Sequence, residues 1–451
     1  MSLTAVILAA GQGTRMRSAL PKVLHPVGGK PMLGHVIDTA YELGAEKVVV
    51  VYGHGGDAIK QTFAGEAVQW VEQAEQLGTG HAVVQALPQC DSDQVIVLYA
   101  DVPLVRVETC QKLLAGLGSA DVAVLSVKQS DPTGYGRIVR AADGSLDAII
   151  EHKDAKPEQL AIDEVNTGLM ALSGSKLAGW LNQLSSDNAQ GEYYLTDVVA
   201  IANADGDRAA AVVCDDATEV AGANNRAQLA EAERVYQSRI ADGLMERGVT
   251  LLDPARVDVR GTLVVGQDIT VDINCVFEGD VTLADNVQIG ANCVIKDSRI
   301  GKGAVIKAFS HIDGAYIGAN ADIGPYARLR EGTQLEVGAK IGNFVETKKA
   351  HIGVGSKVNH LSYVGDATVG KGVNVGAGTI TCNYDGANKH QTVIEDGAFI
   401  GSGSNLVAPV TVGAGATIGA GTTLRKDAPA DQLTLTRVKQ QSVDWDRPKK
   451  K

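Results

Sequence analysis

Along roughly the first 225 residues, short apolar runs alternate with stretches whose apolar positions recur every three or four residues. Thr4–Leu8, Lys47–Val51, Gln94–Tyr99, Val122–Val127 and Ala209–Val213 have the near-continuous apolar character of buried strands. Met32–Leu43 and Val105–Leu117, lying between them, have helical spacing. Such alternation predicts βα units around a largely parallel sheet. Arg226–Arg247 reads as one helix, because Leu229, Ala232, Tyr236, Ile240 and Leu244 form a single stripe. Asn224 and Asn225 offer N-cap side chains, and Gly248 offers a terminator. The pattern predicts a first domain over 1–225, a linker helix over 226–248 and a second domain over 249–451.

After about residue 250 the period changes. Apolar residues recur every six positions at Ile323, Leu329, Leu335 and Ile341, at Ile352, Val358 and Val364, and from Ile400 through Leu406, Val412 and Ile418 to Leu424. Glycine follows several of them, as in Ile341-Gly342 and Ile418-Gly419. Neither a helix nor a simple alternating strand has this period. It is that of a parallel β-helix, in which three hexapeptides close one triangular coil with the apolar residue inward. The spacing falls by one between Ile295 and Ile300 and between Ile312 and Ile317. It breaks at Ile380–Ile394, where Cys382–Asn388 reads as a loop thrust out of the coil. The flat lateral faces of such a coil predict association of copies, with a homotrimer expected.

Composition sharpens this picture. Glycine is 52 of 451 residues while aromatics are only 4%, as suits a closely wound, small-residue architecture. With 41 basic and 53 acidic residues the net charge is −12, which excludes general electrostatic affinity for nucleic acid or an anionic membrane. Met1–Ala10 lacks a basic leader, and no run approaches 18 apolar residues, so a cytoplasmic protein without membrane spans is expected. The six scattered cysteines contain no CxxC pair, which predicts reduced thiols and no sulfur-ligated metal. The basic tip Arg447–Lys451 reads as a solvated tail.

Two regions carry candidate chemistry. Leu8-Ala9-Ala10-Gly11-Gln12-Gly13-Thr14-Arg15-Met16 follows the first strand, a place where backbone N–H groups can approach phosphate oxygens. The third glycine of a dinucleotide fingerprint is replaced by Met16, which argues against hydride transfer. Pro21-Lys22 adds a second cation to Arg15. Asp101, closing the strand before it, reads either as a Mg²⁺ ligand or as a helix N-cap. In the second half, Arg328, Arg330, Lys348 and Lys349 place cations on neighbouring coils beside His360. His360 is either a general base or a histidine that caps a coil. The glycine-rich stretches Val375–Thr379 and Ile400–Gly403 offer backbone groups to an extended ligand.

Leu8–Met16, Pro21-Lys22 and Tyr99-Ala100-Asp101 together resemble the sugar-nucleotide pyrophosphorylases. So do Gln73–His81, Asp131–Arg137, Glu151-His152-Lys153 and Asn166-Thr167-Gly168. Joined to hexapeptide repeats, the chain from about residue 4 to about 440 is similar to the bacterial family of bifunctional N-acetylglucosamine-1-phosphate uridyltransferases/glucosamine-1-phosphate acetyltransferases. The resemblance implies an α/β protein: a Rossmann-like nucleotide-diphospho-sugar transferase domain, then a left-handed parallel β-helix. It also implies acetyl transfer from acetyl-CoA to glucosamine-1-phosphate, then uridylyl transfer from UTP to N-acetylglucosamine-1-phosphate with release of pyrophosphate.

By the same resemblance, Leu8, Ala9, Ala10, Gly11, Tyr99 and Ala100 lie along the nucleotide, and Gln73, Gly78 and Thr79 hold its uracil. Gly136, Glu151 and Asn166 hold the sugar, Asp101 and Asn224 hold Mg²⁺, and Arg15 and Lys22 are the catalytic cations. His360 becomes the acetyl-transfer base. Arg330, Lys348, Tyr363 and Asn374 contact the amino-sugar phosphate. Ala377, Asn383, Tyr384, Ser402, Ala420 and Arg437 contact acetyl-CoA, with the Ala377 N–H facing the developing oxyanion. His311, His351 and His390 are left as surface or loop residues. Two positions depart from the family pattern: Ala100 stands where glycine is usual, which predicts slight crowding of the nucleotide, and Gln12 where many relatives carry lysine. Two other readings compete: a nucleotidyltransferase whose β-helix only trimerises, and an assembly protein built on degenerate transferase domains.

Overall fold

In the computed structural model, which describes residues 1–448, the chain divides into two units, Met1–Tyr236 and Gln237–Lys451. Lys449, Lys450 and Lys451, part of the expected solvated tail, lie outside the described residues. The division falls inside the helix Arg226–Glu246, so this helix belongs half to each unit rather than standing outside both. Leu229, Ala232, Val235 and Tyr236 pack against Val27, Met32 and Leu104 of the first unit. Ala241 and Leu244 join the core of the second. Asn225 caps the helix by accepting from the Gln228 N–H, and Gly248 at φ +89° ends it.

The first unit is built on a sheet in the order Ala209–Cys214, Val122–Lys128, Glu164–Ser173, Gln94–Tyr99, Leu3–Ala9, Lys47–Tyr52, Gln69–Glu72. All pair in parallel except Glu164–Ser173, which is antiparallel to both neighbours. Val48–Val51 and Val95–Leu98 are fully buried because helices cover both faces, which is why these strands read as unbroken apolar runs. Glu164–Ser173 carries no clear strand signal in the sequence. Its polar Asn166-Thr167-Gly168 interrupts the run where the register shifts, and Gly168 there has φ +90°. The hairpin Arg137–Arg140/Leu146–Ile150 extends from the same place.

In the second unit, strands of two to nine residues stack in parallel as successive coils. Ile289, Ile306, Ile323, Ile341, Val358, Val375, Ile400 and Ile418 form one inward column, each paired with the next. The hexapeptide positions at Ile323, Leu329, Leu335 and Ile341 are all fully buried. Another inward column, running from Leu329 to Leu424, also holds threonine. Thr347 and Thr381 point inward with no exposed surface to speak of, and their hydroxyls are met by Thr333 Oγ1 at 3.0 Å and by the Gly365 carbonyl at 3.0 Å. These polar inward residues are satisfied internally. The predicted loop leaves the coil between the strands Ile380–Cys382 and Thr392–Ile394, closed by a bridge from Tyr384 to Lys389. The cysteines are free, and burial pushes the Cys90 and Cys110 thiols up to about 12.

Candidate active sites

The parallel strands Leu3–Ala9 and Gln94–Tyr99 end side by side, and a cavity of about 470 Å³ opens at their carboxyl ends. Leu8, Ala9, Ala10, Gly11, Lys22, Gln73, Gly78, Thr79, Tyr99 and Asp101 line it, joined by Gln12, Gln76 and Glu192. At its mouth Lys22 Nζ lies 2.6 Å from Asp101 Oδ2 and 3.2 Å from Asn224 Oδ1. Arg15 Nη2 donates to the same Asn224 oxygen at 2.9 Å. Three segments far apart in sequence thus bring two cations and two oxygen ligands to one point. Asp101 is not a helix cap: the helix that follows begins at Val107, with Arg106 at its N-cap position.

Gln73 is buried, its amide donating to the Gly78 carbonyl at 3.0 Å and meeting His81 Nδ1 at 3.1 Å. The Gly78–Thr79 turn is clamped from the other side. The Tyr193 N–H donates to the Leu77 carbonyl at 2.8 Å and the Leu195 N–H to Thr79 Oγ1 at 3.1 Å. Gly136, Glu151 and Asn166 form an adjoining group: the Asn166 N–H donates to the Gly136 carbonyl, and a Cβ on Gly136 would sit 3.2 Å from Glu151 Oε1. Thr196 donates to that Glu151 oxygen at 3.2 Å. Burial raises the Glu151 carboxyl above its ordinary range, with Asp197, Asp154 and Glu192 adding to the shift. The Tyr99 phenol, pushed up by burial and by both Asp101 and Glu151, marks where the two groups adjoin. Ala100 corrects one expectation. It has 0% exposure and packs in the core, so its methyl cannot crowd a nucleotide. Gln76 belongs to the Gln73–His81 motif, while Glu192 and Thr196 belong to no motif and reach the site through the loop that returns to Thr79.

A hard cation fits between Asp101 and Asn224. The Lys22 ammonium already shows that one carboxylate and one amide oxygen converge on a positive charge. Among the described residues no cluster of three or more His, Cys, Asp or Glu side chains could hold a metal, so the remaining ligands of such an ion would be phosphate oxygens and water.

In the second unit a cavity of about 200 Å³ is lined by Arg328, Arg330, Lys348, Asp313, Glu331 and His311. Arg330 pairs with Glu346 at 2.7 Å. His311, read as a surface residue, stands here in register with Arg328. His351 and His390 pair instead with Glu336 and Asp385. His360 is exposed, with Nδ1 3.1 Å from Asn343 Oδ1. From it a row of corner residues runs along successive coils. The Gly378 N–H donates to the His360 carbonyl, the Gly403 N–H to the Ala377 carbonyl, and the Gly421 N–H to the Ser402 carbonyl. Ala377, Ser402 and Ala420 therefore line one edge, and Arg437 lies by Gly419 at its end. Asn383, buried, donates to Asp366 and approaches Tyr363 Oη at 3.4 Å, while Tyr384 is exposed beside it. Asn374 stands on the eleven-stranded sheet, as His360 does, in register with Lys357 and Phe399, whereas Lys348 belongs to the fifteen-stranded sheet.

Comparison with known proteins bears on both units. The MobA-like NTP transferase domain profile matches residues 5–160, the GMPPB C-terminal domain profile 259–339, and the bacterial transferase hexapeptide profile 391–426. The chain is 58% identical over its full length to the bifunctional protein GlmU of Stutzerimonas stutzeri (strain A1501), covering all of that protein. It is 58% identical to that of Marinobacter nauticus, and 55% to that of Janthinobacterium sp. (strain Marseille), with 99% of each chain covered.

Proposed function

The chain belongs to the bifunctional GlmU family, and from that premise we propose that it makes UDP-N-acetylglucosamine in two steps, one in each unit. In the first unit the 1-phosphate oxygen of N-acetylglucosamine-1-phosphate attacks the α-phosphorus of UTP in line, and pyrophosphate leaves. The backbone of Ala9–Gly11 faces the phosphates, and Arg15 and Lys22 meet the charge that spreads over them. Gln73 and the clamped Gly78–Thr79 turn hold the uracil, and Glu151 and Asn166 the sugar. Asp101 and Asn224 would hold Mg²⁺, which supplies further neutralisation of phosphate charge. No protein nucleophile is needed, and loss of one such contact costs on the order of 3 kcal/mol in the transition state.

In the second unit the amine of glucosamine-1-phosphate gives a proton to His360, attacks the thioester carbonyl of acetyl-CoA, and expels the thiol. Arg330 and Lys348 take the phosphate with Tyr363. The edge lined by Ala377, Ser402 and Ala420 takes the pantetheine arm, with Asn383, Tyr384 and Arg437 beside it. The observation that favours this over a passive β-helix is the exposed imidazole of His360 at the head of that uninterrupted edge. The flat lateral faces of the coil favour a homotrimer, to be checked by sedimentation. No helix among the described residues is long and apolar enough to cross a membrane, and the free, largely buried thiols accord with a cytoplasmic location. Incubating the protein with glucosamine-1-phosphate, acetyl-CoA, UTP and Mg²⁺ should yield free thiol, pyrophosphate and UDP-N-acetylglucosamine. Pyrophosphate formed only when N-acetylglucosamine-1-phosphate is supplied, with no thiol, would leave the β-helix as scaffold.

A further inference from the structure

Nothing in the family pattern quoted above assigns a role to Asn343. It lies on the strand Lys340–Asn343, directly in register with His360 on the next coil, and the pairs Lys340–Lys357 and Ile341–Val358 precede it. Both residues enter the same corner. Phe344 and Leu361, which follow them, have φ of +57° and +48°, and the Leu361 N–H donates to the Asn343 carbonyl at 3.1 Å. The His360 carbonyl is held from two sides, by the buried Ser362 hydroxyl at 2.8 Å and the Gly378 N–H at 3.2 Å. The backbones of the two residues are therefore fixed in parallel, and their side chains meet with Nδ1 of His360 3.1 Å from Oδ1 of Asn343.

We infer that Asn343 is a positioning residue for acetyl transfer: its side-chain oxygen accepts the Nδ1–H of His360 and so presents the Nε2 lone pair to the substrate amine. This rests on the reading of His360 as the base. A neutral imidazole carries one N–H and one lone pair. With the proton on Nε2, two lone pairs would face each other across the 3.1 Å gap, so the amide oxygen selects the other tautomer. When Nε2 takes the amine proton, the same contact becomes a hydrogen bond from a cation, which strengthens as charge develops. Asn343 thus favours the transition state over the ground state, and its loss should fall on kcat rather than on KM.

In Asn343→Leu, kcat for acetyl transfer should drop about tenfold, the worth of one hydrogen bond, with KM for both substrates within about twofold. Asn343→Asp keeps an acceptor in place and should recover most of the rate, and uridylyl transfer should not change in either variant. In protein labelled with ¹⁵N-histidine, with the His360 signal identified by its loss in His360→Gln, wild type should show the Nδ1–H tautomer. That measurement needs no folded Asn343 variant. An Nε2–H tautomer in wild type, or unchanged kcat in Asn343→Leu, would overturn the role of Asn343 while leaving His360 as base. Undiminished acetyl transfer in His360→Ala would instead remove the base reading itself.

Discussion

Gly78→Ala tests whether the clamped turn is required for the nucleotide step. Gly78 has φ +113° and ψ 174°, a region open in practice only to glycine, where an alanine costs roughly 1–3 kcal/mol. Its new Cβ would lie 2.5 Å from the Tyr193 carbonyl oxygen and 2.8 Å from the Tyr193 nitrogen, and these backbone atoms cannot rotate aside. Relief requires Leu77–Gly80 to separate from Tyr193–Leu195. That separation loosens three bonds: Tyr193 N–H to Leu77, Gly80 N–H to Tyr193 and Leu195 N–H to Thr79. At about 1 kcal/mol net for each bond lost, with part of the strain recovered, the site is displaced at a cost of about 3 kcal/mol. Gln73 would lose its Gly78 acceptor at the same time. The expected outcome is a fall of about a hundredfold in uridylyl kcat/KM for UTP, followed by pyrophosphate release. Thiol release from acetyl-CoA, measured on the same sample, serves as the control for folding and should stay within about twofold of normal. Uridylyl kcat/KM within threefold of the unmutated protein would refute the claim that this turn is held rigid for the base.

Three further outcomes follow from the same structure. Asp101→Ala should abolish uridylyl transfer, since it removes the carboxylate that meets Lys22 and the cation. Thiol release should persist, and parallel loss of both activities in a folded variant would contradict two independent sites. Glu151→Gln should lower uridylyl transfer yet raise the melting temperature near pH 8. A carboxyl whose folded pKa is raised contributes stability below its ordinary range and loses it as pH rises, so the gain should vanish in acid and an equal gain at pH 4 would count against it. Ile341→Ala, at a fully buried position in the inward column, should cost about 2–5 kcal/mol in unfolding of the β-helix, read from denaturant melts, with acetyl transfer lost on heating before uridylyl transfer.

Both architectures were legible in the residues because each writes a local period. A six-residue repeat of Ile, Leu and Val recurs through most of the coils, and a near-continuous apolar run marks each buried parallel strand. The sites were legible as motifs but not as geometry. Arg15 and Asn224 are separated by 209 positions, and what brings them together is the strand order, which sets Leu3–Ala9 beside Gln94–Tyr99. No periodicity encodes that adjacency, because it depends on which pairings bury most surface across the whole first unit. Burial likewise turned the Ala100 methyl into the core. In the second unit, coil stacking decided that Asn343 faces His360 and that Asn374 falls on the other sheet from Lys348. Residues 17 apart become neighbours only when a coil closes short by one, and a sequence shows such a closure only where the inward residue is apolar. Where Thr347 and Thr381 took that position, the register was fixed by hydrogen bonds inside the coil, which only the folded structure displays.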